Sequence, residues 1–225
     1  MWNFNVDNLE RHSPIHHSQF YQKFFERLLF YTAASSVCHV EFPFQNKLAE
    51  NYQIINSYLL FYSCYRYVVV AWDLDTTGRR LIDEICQVAG FYIFDKEECD
   101  FSQYVMPHKN PNPGARRSFG IKVASMGRYR MLKDVETGKI LKTKSEVSAL
   151  QDFISWLKEA KEKSKTDGVV LVCHEPARKV LVPLFLEALR RYNLLEAFDE
   201  VVVAFANSVK VAEKYADSEK VTSYR

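Results

Sequence analysis

YVVVAWDLDTTG, residues 67–78, decides the fold. Its first six residues are an uninterrupted apolar run rich in β-branched side chains. Such a run reads as a central strand covered on both faces. The run ends on Asp73-Leu74-Asp75, and Thr76-Thr77-Gly78 then supplies a turn. Two carboxylates one residue apart on a strand point the same way. At the carboxyl end of a buried strand, where α/β folds place their ligands, such a pair can hold Mg²⁺. Two-metal phosphodiester cleavage uses that arrangement to stabilise the attacking and leaving oxygens together.

Downstream of this strand the apolar pattern alternates between strand-like runs and helix-like stripes. Residues 81–94 suit helix or strand by spacing, and their place after a turn favours a strand paired with the first. Residues 101–106 read as a third strand, stopped by Pro107. Residues 107–117 (PHKNPNPGARR) read as loop, because three Pro, two Asn and a Gly interrupt any regular element. A helix is predicted over 145–160, capped by Ser145, with Val147, Leu150, Phe153, Ile154 and Leu157 forming one stripe. A buried strand follows at 168–173, then an amphipathic helix at 181–192 with Pro183 in its first turn. Another strand is predicted at 201–205 and a helix at 208–215. Strands alternating with helices imply an α/β sheet with helices packed on it.

The chain of 225 residues, 48% hydrophobic, is long enough to bury one full core. Its composition shifts near residue 67. Residues 1–67 hold 16 of the 32 aromatics and four of the six His, and they form an extension to which no role is assigned. The run 54–72 is largely apolar, but Asn56, Ser57, Ser63 and Arg66 argue against a membrane span. His12, His16 and His17 lack acidic or Cys partners at metal-binding spacing and read as loop residues. The five cysteines (38, 64, 86, 99 and 173) are scattered and form no CxxC pair. That excludes a disulfide framework or zinc finger and suggests a reduced, cytoplasmic setting. Neither a Walker A motif nor GxGxxG occurs, so no nucleotide cofactor is expected.

Charge is polarised. Residues 109–144 carry ten basic and two acidic residues, a net +8 in a chain whose total is +2. Such asymmetry is the footprint of a phosphate-binding face. The candidates for RNA contact are Arg116, Arg117, Lys122, Arg128, Tyr129, Arg130 and Lys133, with Tyr129 placed to stack on a base.

WDLDTTGRRLIDEICQVAG resembles the first motif of DEDD-type 3'-5' exonucleases, a strand ending in Asp-x-Glu-Thr-Thr-Gly. FSQYVMP, VLVCHE and LFLEALRRYNL resemble that group's later strands and helix, in order. Within it, YVMPHKNPNPGARR, GRYRMLKD, KSEVSALQDFISWL, VLVCHEPARK and FANSVKVA resemble the exonuclease-like domain of the Exuperantia family. The resemblance implies a ribonuclease H-like fold over 68–225, with a mixed central sheet and helices on both faces. It also implies RNA binding in mRNA localisation, a homodimer, and a SAM-like domain that follows in the family and is absent here. On that pattern the chain is expected to be a fragment or short paralogue.

The group's active site does not carry over residue by residue. Asp73 matches the first Asp, and Asp75 stands for the Glu with one methylene fewer. The third carboxylate falls on Lys179 or Val182, and the final His and Asp have no counterpart. Arg79 and Arg80 are placed to neutralise the vestigial Asp73 and Asp75, while Glu175 and Asp199 are the remaining substitutes to consider. The expectation is an inactive exonuclease fold that binds RNA and holds no metal. An active Mg²⁺-dependent exonuclease using Asp73 and Asp75, or a protein-binding scaffold, are the alternatives.

Overall fold

A computed structural model describes residues 66–95, 97–174 and 180–208. The predicted helix at 208–215 therefore lies outside the described residues beyond Ser208, as do residues 1–65 of the extension.

The apolar run becomes strand β1 (Tyr67–Thr76), in the middle of a six-stranded sheet. Its neighbours are β2 (Ile85–Phe94), antiparallel, and β7 (Gly168–Cys173), parallel. Beyond β2 lie β3 (Glu97–Val105) and the short β6 (Thr143–Lys144), and beyond β7 lies β8 (Val202–Asn207). The order is β6-β3-β2-β1-β7-β8, and β2 alone runs against the other five. This is the mixed sheet expected of a ribonuclease H-like fold. The tract at 81–94 resolves as turn followed by strand, because Asp83, Thr77 and Glu84 tie residues 77–84 into a closed turn.

Among the described residues, three helices cover one face of the sheet. Helix α2 (Glu146–Lys163) is capped by Ser145, whose hydroxyl accepts from the Ser148 N–H. It buries Ala149, Leu150, Phe153, Ile154, Leu157 and Ala160, close to the predicted stripe. Helices α3 (Leu181–Arg191) and α4 (Leu195–Asp199) complete the layer, with Pro183 in the first turn of α3. Side chains alternate across β1, so Val68, Val70, Trp72 and Leu74 face these helices. Val69, Ala71, Asp73 and Asp75 face the other way, where Ala71 and Phe91 form a smaller apolar cluster.

The helix-covered face is joined by a chain of aromatic rings. Trp72 meets Phe185 at 5.0 Å between centroids and Phe205 at 5.7 Å. Phe185 meets Phe153 at 5.9 Å and Phe198 at 5.5 Å, and Phe153 meets Phe101 at 5.3 Å. Trp156 closes the far end against Tyr92 at 5.4 Å. Edge and offset pairs at these separations contribute roughly 0.5–1.5 kcal/mol each beyond the area they bury.

The tract 107–117 corrects its sequence reading, since it contains a helix. Asn112 caps α1 (Pro113–Phe119) by accepting from the Ala115 N–H at 2.8 Å, and Pro113 opens it. Gly120, at φ 65°, ends it in the left-handed region. The residues that look like loop composition are its cap and its stop. After α1 a separate hairpin forms from β4 (Ile121–Met126) and β5 (Tyr129–Asp134).

Gly90 lies beneath α2, where an added Cβ would come within 2.7 Å of Trp156 and 3.0 Å of Phe153. Gly90→Val is expected to cost about 1–3 kcal/mol of stability by overpacking, measured as a lower urea midpoint with an unchanged slope.

Candidate functional site

β1, β7 and β8 run in the same direction, so their carboxyl ends share one edge of the sheet. That edge gathers Asp73 and Asp75 from β1, His174 just past β7, and Asn207 and Ser208 at the end of β8. His174 Nδ1 and Ser208 Oγ are 2.9 Å apart, and burial pushes the imidazole below its usual range. Asp73 turns one oxygen back on the chain, accepting from the Leu74 N–H at 2.9 Å. Asp75 keeps some exposed surface as a residue, yet its carboxyl is enclosed. Burial, and then the neighbouring charge of Asp73, push that carboxyl well above the usual carboxylate range.

The arginines do not neutralise this pair, which corrects the expectation from sequence. Arg80 turns to Asp83 instead, with Nε 3.4 Å from Oδ2, while its backbone N–H donates to the same oxygen at 2.9 Å. Arg79 is exposed. The cause is local: the 77–84 turn buries Asp83, and a buried carboxylate claims the nearest cation and amide. Continuing from Asp75 across the sheet, the register places Gln87 and then Tyr104. Gln87 donates to Ser102 Oγ at 2.8 Å. The buried Tyr104 hydroxyl has no hydrogen-bond partner among the described residues, and its pKa is pushed up to about 12, first by burial and then by the charge of Asp75.

Among the described residues the donor set for a divalent metal centre is incomplete. Val182, one position where a third carboxylate would stand, is buried in the core on α3. Lys179, the other, and Glu175 lie outside the described residues. Asp199 ends α4, just before β8 begins, whereas the carboxylate pair lies at the carboxyl end of β1. The six residues of β8 separate the two edges by roughly 20 Å at about 3.3 Å per residue. Among the described residues no group of three His, Cys, Asp or Glu is placed to hold a metal ion.

The basic stretch is divided by the fold. Lys109 donates through Nζ to the Ile82 carbonyl at 2.7 Å, and Lys144 pairs with Asp152. Arg130 donates to the His108 carbonyl and, at 3.1 Å, to Asn110 Oδ1, which ties the hairpin to the 107–112 loop. Outside the stretch, Arg190 pairs with Glu187, and Arg191 pairs with Glu146. Arg116 and Arg117 stand exposed on α1, Arg128 and Tyr129 at the hairpin tip, and Lys122 and Lys133 half-buried along its strands. Arg116, Arg117, Lys122, Arg128 and Lys133 make no ion pair among the described residues. A cleft of about 460 Å³ lies between the 78–80 turn and α1, lined by Arg79, Arg80, Asn112, Gly114, Ser118 and Phe119. Sequence reasoning missed this cleft because it depends on α1, whose cap reads as loop.

Residues 67–225 match the family model described as the Exuperantia RNAse H-like domain. The chain is 45% identical over 160 residues to Maternal protein exuperantia of Drosophila melanogaster, an alignment covering 70% of this chain and 29% of that protein. It is 46% identical over 160 residues to the Drosophila virilis protein of the same name, covering 71% and 32%. To Maternal protein exuperantia-1 of Drosophila pseudoobscura pseudoobscura it is 49% identical over 149 residues, covering 65% and 29%. The matched segment thus spans about a third of the length of these relatives.

The enclosed Asp75 has a pH consequence. Its folded-state pKa lies above the unfolded value, so the unfolded chain ionises first as pH rises through about 4, and stability falls over that rise. Asp75→Asn is expected to melt higher than the parent at pH 7, with the difference shrinking as pH drops below about 4. Each kcal/mol relieved corresponds to a shift of about 2–4 °C in a thermal scan. An equal or lower Tm at pH 7 would show that the carboxylate is stabilised where it stands.

Proposed function

This chain belongs to the Exuperantia family through its RNAse H-like domain, and on that footing we propose that it is an RNA-binding module that has lost phosphodiester cleavage. Its role is in mRNA localisation in the cytoplasm, as a homodimer, with structured RNA held mainly through its phosphates. The observation that carries the loss of cleavage is the state of the carboxyl edge of β1. Two-metal hydrolysis needs several charged oxygen donors converging on the ions. Here Val182 contributes packing to the core, and among the described residues no third His, Cys, Asp or Glu converges with Asp73 and Asp75 on a metal position. Placing a carboxylate at position 182 would require breaking that packing.

RNA binding is supported by the basic residues that the fold leaves unengaged. Arg116, Arg117 and Arg128 are exposed and outside the ion pairs of the described residues. Backbone recognition of this kind depends on counterion release and weakens steeply with salt. No described helix is long and apolar enough to cross a membrane.

Labelled single-stranded RNA incubated with the chain and Mg²⁺ or Mn²⁺ is expected to keep its full length. Shortening that disappears in Asp73→Ala would overturn the loss of cleavage. Changing Arg116, Arg117 and Arg128 together to Ala is expected to weaken RNA binding at every sequence tested. The slope of log K against log salt should also fall by about 0.7–0.9 for each phosphate that is no longer neutralised. Unchanged affinity and slope would move the interface elsewhere on the molecule.

A further inference from the structure

The β4–β5 hairpin has two unlike faces, and its register defines them. Ile121 pairs with Asp134, Val123 with Leu132, and Ser125 with Arg130. This face turns inward: Ile121 and Leu132 are fully buried, and Arg130 is anchored to the loop beneath. The alternate pairs are Lys122 with Lys133, Ala124 with Met131, and Met126 with Tyr129. They therefore share the outward face. Read from base to tip, that face presents two lysines, a small apolar floor, and then a methionine beside a tyrosine.

Two features of this face are unfavourable in the isolated protein. Tyr129 is 74% exposed and Met126 68% exposed, directly opposite each other at the tip. Lys122 and Lys133 are also directly opposite, and like charges in that relation destabilise a strand pair. Asp134, the acid that follows Lys133 in the chain, belongs to the inward face. Lys122 lowers its pKa from a distance, but its Oδ1 is occupied by the Thr137 N–H at 2.6 Å and the Thr137 hydroxyl at 2.8 Å. An anion between the lysines and a flat apolar group on the tyrosine would offset both at once. A nucleotide carries both groups.

Resting on the RNA-binding reading above, we propose that this outward face is a subsite for an unpaired nucleotide of RNA. The base stacks on Tyr129 and Met126, and neighbouring phosphate lies between Lys122 and Lys133. Four residues of β4 separate the two ends, about 13 Å at about 3.3 Å per residue, and the lysine side chains reach across part of it. Ala124 keeps the floor low, and Met131 adapts to the base or ribose above it. Arg128 in the turn adds charge beyond the tip. A base inside a duplex has both faces covered by its neighbours, so the subsite favours loops, bulges and single strands.

The test compares the full chain with its variants on two labelled RNAs, a stem with an unpaired loop and the same stem as a blunt duplex. Tyr129→Ala is expected to weaken stem-loop binding roughly 10-fold or more, as removal of one stacking platform does, with duplex affinity and the salt slope unchanged. Tyr129→Phe should restore binding, because the ring face carries the interaction. Changing Lys122 and Lys133 together to Ala should lower the salt slope by about 0.7 per phosphate released. Tyr129 is exposed, so its variants should melt with the parent. A lower Tm for Tyr129→Ala would assign the side chain to the fold and overturn the subsite. Parental stem-loop affinity in Tyr129→Ala, with the Arg116, Arg117 and Arg128 variant still weakened, overturns the subsite alone. Equal weakening on both RNAs, or a change in oligomeric state with RNA binding intact, overturns it as well. Failure of the parent chain to bind either RNA overturns the broader reading with it.

Discussion

Phe153 and Phe185 are where the sheet and its helices are joined. Phe153 on α2 touches Phe101 of β3 and the ring of Phe185; Phe185 on α3 touches Trp72 of β1 and Phe198 of α4. All five belong to one connected set of rings that runs from β3 to β1 and α4. A helix without tertiary contacts is marginal at these lengths, so α2 and α3 owe their persistence to this burial more than to their own propensity. The path also requires β2 to present no side chain at position 90, beneath Trp156 and Phe153, which Gly90 satisfies. Trp72 takes its place in the core at the cost of a buried indole N–H that has no partner among the described residues.

That packing determines what the carboxyl edge can become. α3 must bury Val182 with Leu184, Phe185 and Leu189 to hold its end of the aromatic path. A carboxylate at 182 would sit in apolar surroundings that raise its pKa and oppose its charge. Asp73 and Asp75 are on the opposite side of β1, and the row that runs from Asp75 across the sheet continues into a glutamine and a tyrosine. Among the described residues the edge keeps the strand geometry of a metal site without a convergent set of charged donors.

Cations are sorted by the same structure. Acceptors of the 77–84 turn claim the nearest positive groups: the buried Asp83 takes Arg80, and the Ile82 carbonyl takes Lys109. Arg130 is used to fasten the hairpin to its neighbouring loop. Of the cations left over in residues 109–144, Arg116 and Arg117 lie on α1, Lys122, Arg128 and Lys133 on the outward face and tip of the hairpin, and Lys139 and Lys142 beyond it. Charge counting along the chain located the region, and the tertiary contacts separated structural cations from those open to a ligand.

The central strand, the two carboxylates at its end, the α2 stripe and the strands at β7 and β8 were all legible in the order of residues. They are short-range patterns: a continuous apolar run, alternation along a strand, and a capped helical stripe. The α1 signal was equally local, with Asn112 and Pro113 before the helix and Gly120 after it, but the same residues count as loop formers. The alternation of Ile121, Val123 and Leu132 around Gly127 is equally local, yet the hairpin and its register emerge only in the folded chain. Three outcomes waited on the folded arrangement: Arg80 leaves Asp73 and Asp75 for Asp83, Val182 joins the core, and Lys122 and Lys133 stand opposite each other. Each depends on which groups the folded chain buries or pairs. Burial multiplies the cost of an unpaired charge, and no spacing along the chain carries that information.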